Sequence, residues 1–261
     1  MDFNTILYSK SVEGVVKITI NRPDVRNVLN TQVRREIKQA IETVQKDDSV
    51  RLLIFTGIDK SFIAGADIND FLTMNPVMAD EFVQTLGQNL YAAFEQLKFP
   101  VIAMINGYCF GAGMELALCC DMRIASTNAK FGQLELNVGL IPGGGATQRL
   151  PRLIGPGRAK EMIFTGRIVD AEEAGRIGLV DKVVAPEKLE AEVEQITKSI
   201  LSKSPLLLHM AKKAINRGIY TDLAAGLDYE RAIFGTVFAT EDKVEGIKAF
   251  LEKRPAKFKG K

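Results

Sequence analysis

Two glutamates are the residues in this chain best suited to chemistry. Glu115 is the single charged residue in the apolar stretch Val101–Cys120. A carboxylate in such a neighbourhood needs a partner, a proton or a chemical task, because desolvating its charge is costly. Glu135 follows in a segment where it alternates with apolar residues. Each has a simpler interpretation, since Glu115 could complement the dipole of its own helix and Glu135 could face solvent from a strand. Together, however, two such carboxylates could perform general acid–base catalysis.

The residues before Glu115 predict hydrogen-bond donors beside it. Val101–Ile105 has the length of a buried strand, Asn106-Gly107 is typical of a turn, and Gly111-Ala112-Gly113 leads flexibly into a helix over Met114–Cys120. The first N–H groups of a helix have no partner within it and lie at the positive end of its dipole. We therefore expect backbone donors for an anion one turn from the carboxylate.

Other glycine-rich motifs do not match nucleotide-binding patterns. Gly143-Gly144-Gly145 is not followed by the Lys-Ser/Thr pair of a phosphate-binding loop. After Gly111 and Gly113, Leu116 stands where a dinucleotide fingerprint needs its third glycine. The sequence therefore does not support either nucleotide site.

The histidine and cysteine content disfavours nucleophilic and metal chemistry. His209 is the single histidine and is predicted to be a packed or partly exposed helix residue, so Ser–His and Cys–His dyads are poorly supported. Cys109, Cys119 and Cys120 lie in the apolar stretch with no histidine nearby, and we interpret them as core thiols in a reducing compartment. We expect no metal site and no cofactor.

Composition sets the broad class. The chain has 261 residues, 46% of them hydrophobic, and a formal net charge of +2. A chain of this length can bury a substantial core. Its small net charge does not favour binding to nucleic acid or to an anionic membrane. The segment MDFNTILYSK has neither an apolar signal core nor the character of a transit peptide. We expect a cytoplasmic protein.

Strand and helix signals alternate along the first two thirds of the chain. Predicted strands cover Val15–Ile20, Leu52–Thr56, Val101–Ile105, Met122–Ala125 and Val180–Val184. Predicted helices cover 31–47 with Thr31 as N-cap, Pro76–Leu97, Arg158–Thr165, Ala171–Ile177, Pro186–Ser202, a helix capped by Ser204, Asp222–Phe238 and Glu241–Lys253. This alternation predicts an α/β protein with a mainly parallel sheet, and a helical last third that is a small second domain or a trimerisation module.

Five motifs, in order, carry a resemblance to a known family. They are NRPDVRNVLN (21–30), SFIAGADI (61–68), PVIAMINGYCFGAGMELALCCD (100–121), FGQLELNVGLIPGGGATQRL (131–150) and AFLEKR (249–254). Over nearly its full length the chain resembles the crotonase superfamily of enoyl-CoA hydratases and isomerases, and it is most similar to short-chain enoyl-CoA hydratases. The resemblance implies an α/β crotonase-like spiral of ββα units over residues 1–200, which carries the acyl-CoA site. It also implies a C-terminal helical region over residues 201–261, which covers the CoA site and drives assembly into homotrimers, commonly paired into hexamers.

The resemblance also assigns roles to individual residues. It implies an oxyanion hole from the N–H groups of Ala66 and Ala112, although many relatives have glycine at the second position. Glu115 and Glu135 match the two hydratase carboxylates, with Glu135 as the main acid/base and Glu115 as the partner that holds water. Gly143 matches the position whose N–H helps to hold that water.

Coenzyme A contacts are implied at two places, and the coenzyme arrives as part of the substrate. The adenine is expected against the backbone around Ala64–Ile68, which includes Ala66 and Asp67, with Arg26 nearby. Phe250 and Lys253 match tail residues that reach the CoA of a neighbouring subunit. Asn69 stands where many hydratases have a lysine that helps to hold the nucleotide phosphates, so that contact is not expected here.

These roles predict a hydro-lyase of fatty-acid β-oxidation type, which adds water across the 2,3 double bond of a 2-enoyl-CoA thioester. An enoyl-CoA isomerase is the alternative within the family, although isomerases typically keep just the second acid. A specialised hydratase or dehydratase acting on a 3-hydroxypropionyl, hydroxybutyryl or cyclic dienoyl thioester is also compatible. Acyl-chain specificity is expected in Asp70–Leu86, where Phe71, Leu72, Met74 and Phe82 could line or cover the acyl tunnel.

Two alternatives belong to other classes. A basic helical face containing Arg34, Arg35, Lys38 and Lys46 could bind RNA, although Glu36 and Glu42 dilute it. A non-catalytic assembly protein could use the fold alone, although keeping both acids argues against it. We therefore expect no nucleic-acid or membrane partner.

Overall fold

The computed structural model describes residues 3–261, which form two compact units. The first contains residues up to Leu97 together with Val101–Val193, and the second contains Lys98–Pro100 and Glu194–Lys261. The division falls inside the helix Leu189–Leu201, which also contains the boundary expected from sequence at residue 200.

A six-stranded sheet forms the centre of the first unit. Its strands are β1 (Ile6–Lys10), β2 (Val15–Ile20), β3 (Leu52–Gly57), β5 (Val101–Ile105), β7 (Met122–Ser126) and β10 (Lys182–Val184), in that spatial order. β1 pairs with β2 antiparallel, and every other pairing in this sheet is parallel. β5 is buried at all five positions, as a central parallel strand covered on both faces requires. The predicted parallel sheet is confirmed.

A second sheet of very short strands completes this unit. It is ordered β4 (Ser61–Ile63), β6 (Tyr108–Phe110), β8 (Lys130–Gly132) and β9 (Val169–Asp170). The first three strands pair in parallel, and β9 is antiparallel to β8. Strands of two or three residues are too short to show an alternating pattern, which is why the sequence did not predict them.

Helices connect and cover the strands. In chain order they are α1 (Thr31–Lys46), α2 (Pro76–Phe82), α3 (Asn89–Glu95), α4 (Ala112–Ala117), α5 (Ala146–Ile154), α6 (Pro156–Thr165), α7 (Ala171–Arg176), α8 (Leu189–Leu201), α9 (Pro205–Gly218), α10 (Leu223–Val237) and α11 (Glu241–Leu251). The turn Val83–Gln88 is π-helical and joins α2 to α3. The predicted helix over Pro76–Leu97 is therefore present, with this turn inside it.

Two helix starts differ from the prediction. Asn30, not Thr31, caps α1, because the Asn30 side chain accepts the N–H of Val33 at 3.0 Å. Thr31 instead donates its N–H and its hydroxyl to Asp70, at 2.8 and 2.9 Å. α4 begins at Ala112 rather than Met114, so the glycine-rich segment belongs to the first turn of the helix itself.

Aromatic side chains fix α3 against the main sheet. Phe55 on β3 lies edge-to-face with Phe94 on α3 at 5.4 Å between ring centroids, and with Phe62 on β4 at 5.8 Å. All three rings are fully buried. Edge-to-face pairs of this kind contribute about 1 kcal/mol each beyond the area they bury.

The second unit is helical. Ser204 caps α9 by accepting the N–H of Leu207, as predicted, and its hydroxyl donates to Asp242 at 2.6 Å. Asp242 also accepts the backbone N–H groups of Lys259 and Gly260, which ties the C-terminal segment to the start of α11. Within residues 3–261, no helix has both the length and the apolar character needed to cross a membrane.

Candidate active site

A cavity of about 270 Å³ in the first unit brings together the two predicted glutamates. Ala66, Ala112 and Gly143, which were also predicted from sequence, line the same cavity. These residues come from separate segments of the chain, which the two parallel sheets bring to one place.

Glu115 projects from α4 towards the beginning of α5. Its carboxylate accepts the N–H of Ala146, the first residue of α5, at 3.1 Å, and its side chain is almost completely buried. The first N–H groups of a helix have no partner of their own, so Glu115 supplies one. The simple interpretation from sequence, a residue complementing the dipole of its own helix, is therefore incomplete.

Glu135 also lines the cavity, and it is the first residue of the 3₁₀ turn Glu135–Val138. It is not on a strand, because β8 ends at Gly132, so the interpretation as a solvent-facing strand residue is wrong. With its amide nitrogen turned towards the carboxylate, the fully buried Gln133 donates to both Glu135 oxygens at 3.0 Å. A Cβ on Gly111 would lie 3.0 Å from Glu135 Oε1, and Gly111 has a φ of 47°. Glycine there permits both the backbone conformation and the close approach.

Burial and mutual repulsion set the protonation of this pair. Desolvation raises the pKa of Glu135 to about 7, and the negative charge of Glu115 adds to that rise. A hydrogen bond from the backbone N–H of Glu135 itself favours the charged form and lowers the pKa in part. Desolvation also raises the pKa of Glu115, against the N–H of Ala146 and the positive charge of Arg34. The negative charge of Glu115 therefore favours the protonated form of Glu135 near neutral pH.

Two residues that line the cavity, Ala66 and Ala112, have backbone N–H groups that the strand bridge and the helix they belong to do not use. Ala66 forms a parallel bridge to Leu29, in which Leu29 donates to the carbonyl of Gly65 and accepts from the N–H of Asp67. In that pattern the N–H of the middle residue, Ala66, is directed away from Leu29. Ala112 is the first residue of α4, where the N–H has no intrahelical partner.

Two residues of the cavity wall, Arg34 and Tyr91, were not predicted as site residues from the sequence. Arg34 on α1 is only 3% exposed, and it donates to the hydroxyl of Tyr91 and the carbonyl of Leu86, each at 2.8 Å. Arg34, Tyr91 and Phe82 all line the cavity. Because Arg34 is directed inward, the predicted basic face of α1 loses one of its members. In the sequence, helical spacing from Ile37 and Ile41 puts Arg34 at the edge of the apolar face of α1 and the exposed Arg35 on the opposite face, and this signal could have identified Arg34.

The apolar end of the cavity lies beside the π-helical turn. Phe71 and Phe82 meet edge-to-face at 5.5 Å and both line the cavity, as expected for the acyl region. Leu72 is 80% exposed, and neither it nor Met74 is among the lining residues. Gln88, at the end of the π-helical turn, donates to the carbonyl of Gly143 at 3.0 Å and so links the turn to the glycine-rich loop.

The predicted coenzyme A residues are divided between the two units. Ala64 and Ile68 line the cavity, and the N–H of Ala64 donates to the carbonyl of Arg26 at 3.2 Å. The Arg26 guanidinium lies over the ring of Tyr108. Asp67 does not line the cavity, and its side chain accepts the N–H of Asn69.

The remaining two residues predicted to contact coenzyme A belong to the second unit. Phe250 lies near the end of α11, and Lys253 follows that helix. Phe250 is 82% exposed, so its ring is available for a contact outside its own unit.

Comparison with known proteins identifies the family. Residues 10–261 match the family model described as enoyl-CoA hydratase/isomerase. The chain belongs to this family. It is 48% identical to a crotonyl-CoA hydratase of Syntrophomonas wolfei over 99% of both chains. It is 44% identical to a short-chain-enoyl-CoA hydratase of Clostridium acetobutylicum over 97% of both.

Solved structures of the enoyl-CoA hydratase/isomerase family share the fold. The crystal structure of an enoyl-CoA hydratase from Bacillus anthracis superposes with a TM-score of 0.94 at 40% identity, over 99% of this chain and 100% of that one. The resemblance to the crotonase superfamily and the predicted crotonase-like fold are thereby confirmed.

Proposed function

We propose that this protein is a short-chain enoyl-CoA hydratase, which reversibly adds water across the 2,3 double bond of a 2-enoyl-CoA thioester to give a 3-hydroxyacyl-CoA. The observation that carries the proposal is that two carboxylates, the buried Glu115 and the partly exposed Glu135, line one cavity together with Ala66 and Ala112. Relatives at 44% and 48% identity that are named as hydratases of short enoyl thioesters support the same reaction.

The N–H groups of Ala66 and Ala112 form the oxyanion hole. They donate to the thioester oxygen and stabilise the enolate that forms when a nucleophile attacks Cβ. A single donor of this type is commonly worth about 3 kcal/mol of transition-state stabilisation. Alanine serves as well as glycine at position 112, because the N–H alone is used and α4 gives that residue ordinary helical geometry.

The glutamate pair moves the two protons of the reaction. Glu115 holds the water and takes a proton from it as its oxygen bonds to Cβ, while Glu135 gives its proton to Cα. The pair therefore begins and ends with one proton, and the product gains one hydroxyl and one hydrogen. A pKa of about 7 suits Glu135 to donating and regaining a proton near neutral pH. In this mechanism Glu115 is the base that deprotonates the water, a larger role than the water-holding one expected from the sequence.

Hydration is favoured over the alternatives by particular residues. An isomerase moves one proton and needs one acid, whereas this cavity holds two. The RNA-binding alternative relied on a basic face of α1, and Arg34 of that face is buried in the cavity wall. The apolar end, closed by Phe71 and Phe82, suits a short acyl chain.

The coenzyme A part of the substrate extends from the cavity past Ala64 and Arg26. Phe250 and Lys253 complete its site from a neighbouring subunit, which requires a homotrimer or a pair of trimers. The protein acts in the cytoplasm on fatty acyl thioesters and uses no cofactor beyond the coenzyme A of its substrate.

The test is loss of the conjugated enoyl-thioester absorbance with crotonyl-CoA, for the wild type and for Glu135→Gln. Rapid loss with the wild type, reduced at least about a hundredfold by the substitution, is the expected result. Glu42→Gln, at an exposed position on α1, is the matched control and should leave the rate unchanged. Near-full activity of Glu135→Gln would refute the mechanism, and an inactive wild type would refute the choice of substrate.

A further inference from the structure

Arg34 is a buried cation for which the mechanism has so far given no use. Both of its hydrogen bonds come from Nη1, and its Nε is buried without a hydrogen-bond partner among residues 3–261. Its guanidinium lies 5.3 Å from the ring centroid of Phe82 and 5.7 Å from that of Tyr91. No carboxylate in the described part of the chain forms an ion pair with it. Burying the positive charge of Arg34 costs desolvation energy, and a negative charge nearby is needed to offset that cost.

Glu115 and Tyr91 are neighbours in the cavity wall. A Cβ on Gly144 would lie 2.5 Å from Tyr91 Cε2 and 2.6 Å from Glu115 Oε2, so ring and carboxylate are immediate neighbours. Arg34 donates to the hydroxyl of the same Tyr91. Arg34 and Glu115 therefore both lie next to Tyr91 at the same cavity, in an interior where opposite charges attract far more strongly than in water.

The other charged or titratable groups around Glu115 do not replace Arg34. Glu135 repels it from across the cavity. Arg149 is held in a two-pronged ion pair with Glu95, at 2.7 and 2.9 Å, so its charge is largely neutralised. Burial raises the pKa of Tyr91 to about 12 and that of the Cys119 thiol well above its usual value, so both are neutral.

Given the hydratase function proposed above, we propose that Arg34 is a positioning residue for the reaction. Its guanidinium is the counter-charge that keeps Glu115 ionised between turnovers. Its hydrogen bonds to Leu86 and Tyr91 fix the cavity wall against which Glu115 packs. Leu86 lies in the π-helical turn, so the same side chain also anchors the acyl end of the site.

Removing this charge should change the pH dependence of hydration. A nearby cation typically lowers the pKa of a carboxylate by one unit or more, so its loss lets Glu115 keep its proton to higher pH. In Arg34→Met the acid limb of kcat/KM should move up by about one pH unit. Activity relative to the wild type should then fall about tenfold further at pH 6 than at pH 8.5.

Matched variants separate the charge from the packing. Arg34→Lys keeps a cation and should restore the acid limb towards that of the wild type, even if the altered hydrogen bonds change KM. Arg35→Met removes the adjacent, exposed arginine of the same helix and should leave the profile unchanged. An acid limb in Arg34→Met that coincides with that of the wild type would overturn the proposal.

A stability measurement decides the same point without any activity. Urea unfolding midpoints are compared for the wild type, Arg34→Met, Glu115→Gln and the double variant, at pH 8.5 and pH 5. At pH 8.5 the loss caused by Arg34→Met should be larger with Glu115 present than in the Glu115→Gln background, and the difference should shrink at pH 5. Arg34→Gln replaces Arg34→Met if that variant does not fold.

Equal losses in both backgrounds at both pH values would refute the pairing. A wild type inactive on crotonyl-CoA with a clear, pH-dependent coupling would instead refute the choice of substrate and leave the Arg34–Glu115 pair standing.

Discussion

Replacing Glu135 by glutamine should make the protein relatively more stable as the pH rises. The pKa of Glu135 is about 7 in the folded protein against an ordinary value of 4.5. Between these values the folded chain binds more protons than the unfolded chain, so the wild type loses stability as the pH increases and levels off above about pH 7. A neutral amide removes that loss.

The magnitude follows from the size of the pKa difference. At about 1.4 kcal/mol per pKa unit, a displacement from 4.5 to about 7 corresponds to at most about 3.5 kcal/mol. Glu135 is partly exposed in the cavity, and screening by water reduces this to about 2 kcal/mol. In Glu135→Gln, Glu115 also ionises more easily, because the negative charge of Glu135 is absent. This second change increases the stability of the variant relative to the wild type at high pH as well.

Urea unfolding at pH 5 and pH 8.5 measures the effect. The free energy of unfolding of Glu135→Gln, relative to the wild type, should increase by about 2 kcal/mol between the two pH values. Glu42→Gln, at an exposed position, should follow the wild type at both. Parallel pH dependences of the wild type and Glu135→Gln would show that Glu135 titrates normally in the folded state, and the assignment of Glu135 as proton donor would then fail.

Three further substitutions probe the walls of the site. Gly144→Ala places a methyl group against Tyr91 and Glu115, so unfolding should show a loss of about 1–3 kcal/mol and the hydration assay a marked loss of kcat. Phe82→Ala should open the acyl end and raise the kcat/KM of a 2-octenoyl thioester relative to crotonyl-CoA about tenfold or more, measured by competing the two substrates. Ala112→Gly keeps the N–H and should retain near-normal kcat, while thermal unfolding reports a loss of up to about 1 kcal/mol.

The sequence was sufficient wherever a long, regular pattern or a complete motif was present. The apolar run of β5 predicted a buried strand. The motif around Glu115 predicted that this carboxylate is a site residue, and Glu115 lines the cavity. Ser204 correctly predicted the start of α9, because a serine followed by a proline is a strong signal for a helix N-terminus.

What the sequence did not reveal depends on how side chains meet once the chain is folded. Helical spacing separates Arg34 from Arg35, but it does not indicate Leu86 and Tyr91, the distant residues that Arg34 contacts. Gln133 has no pattern that indicates a carboxylate partner, and its role appears when the 3₁₀ turn brings Glu135 back towards it. The π-helical turn depends on anchors such as the contact of Arg34 with Leu86, which lies on another element.

Glu115 accepting the N–H of Ala146 ties the reaction centre to the start of α5. Each time this carboxylate takes a proton from water, it becomes a weaker acceptor, and the first turn of α5 loses part of its support. The chemical step therefore perturbs a helix terminus in every turnover. It also limits how the site can change in evolution, because a substitution that abolishes the chemistry, such as Glu115→Ala, removes the helix cap together with the acid. Glu115→Gln keeps an acceptor for that N–H, so a chain that abandons the reaction but keeps the fold is expected to pass through glutamine.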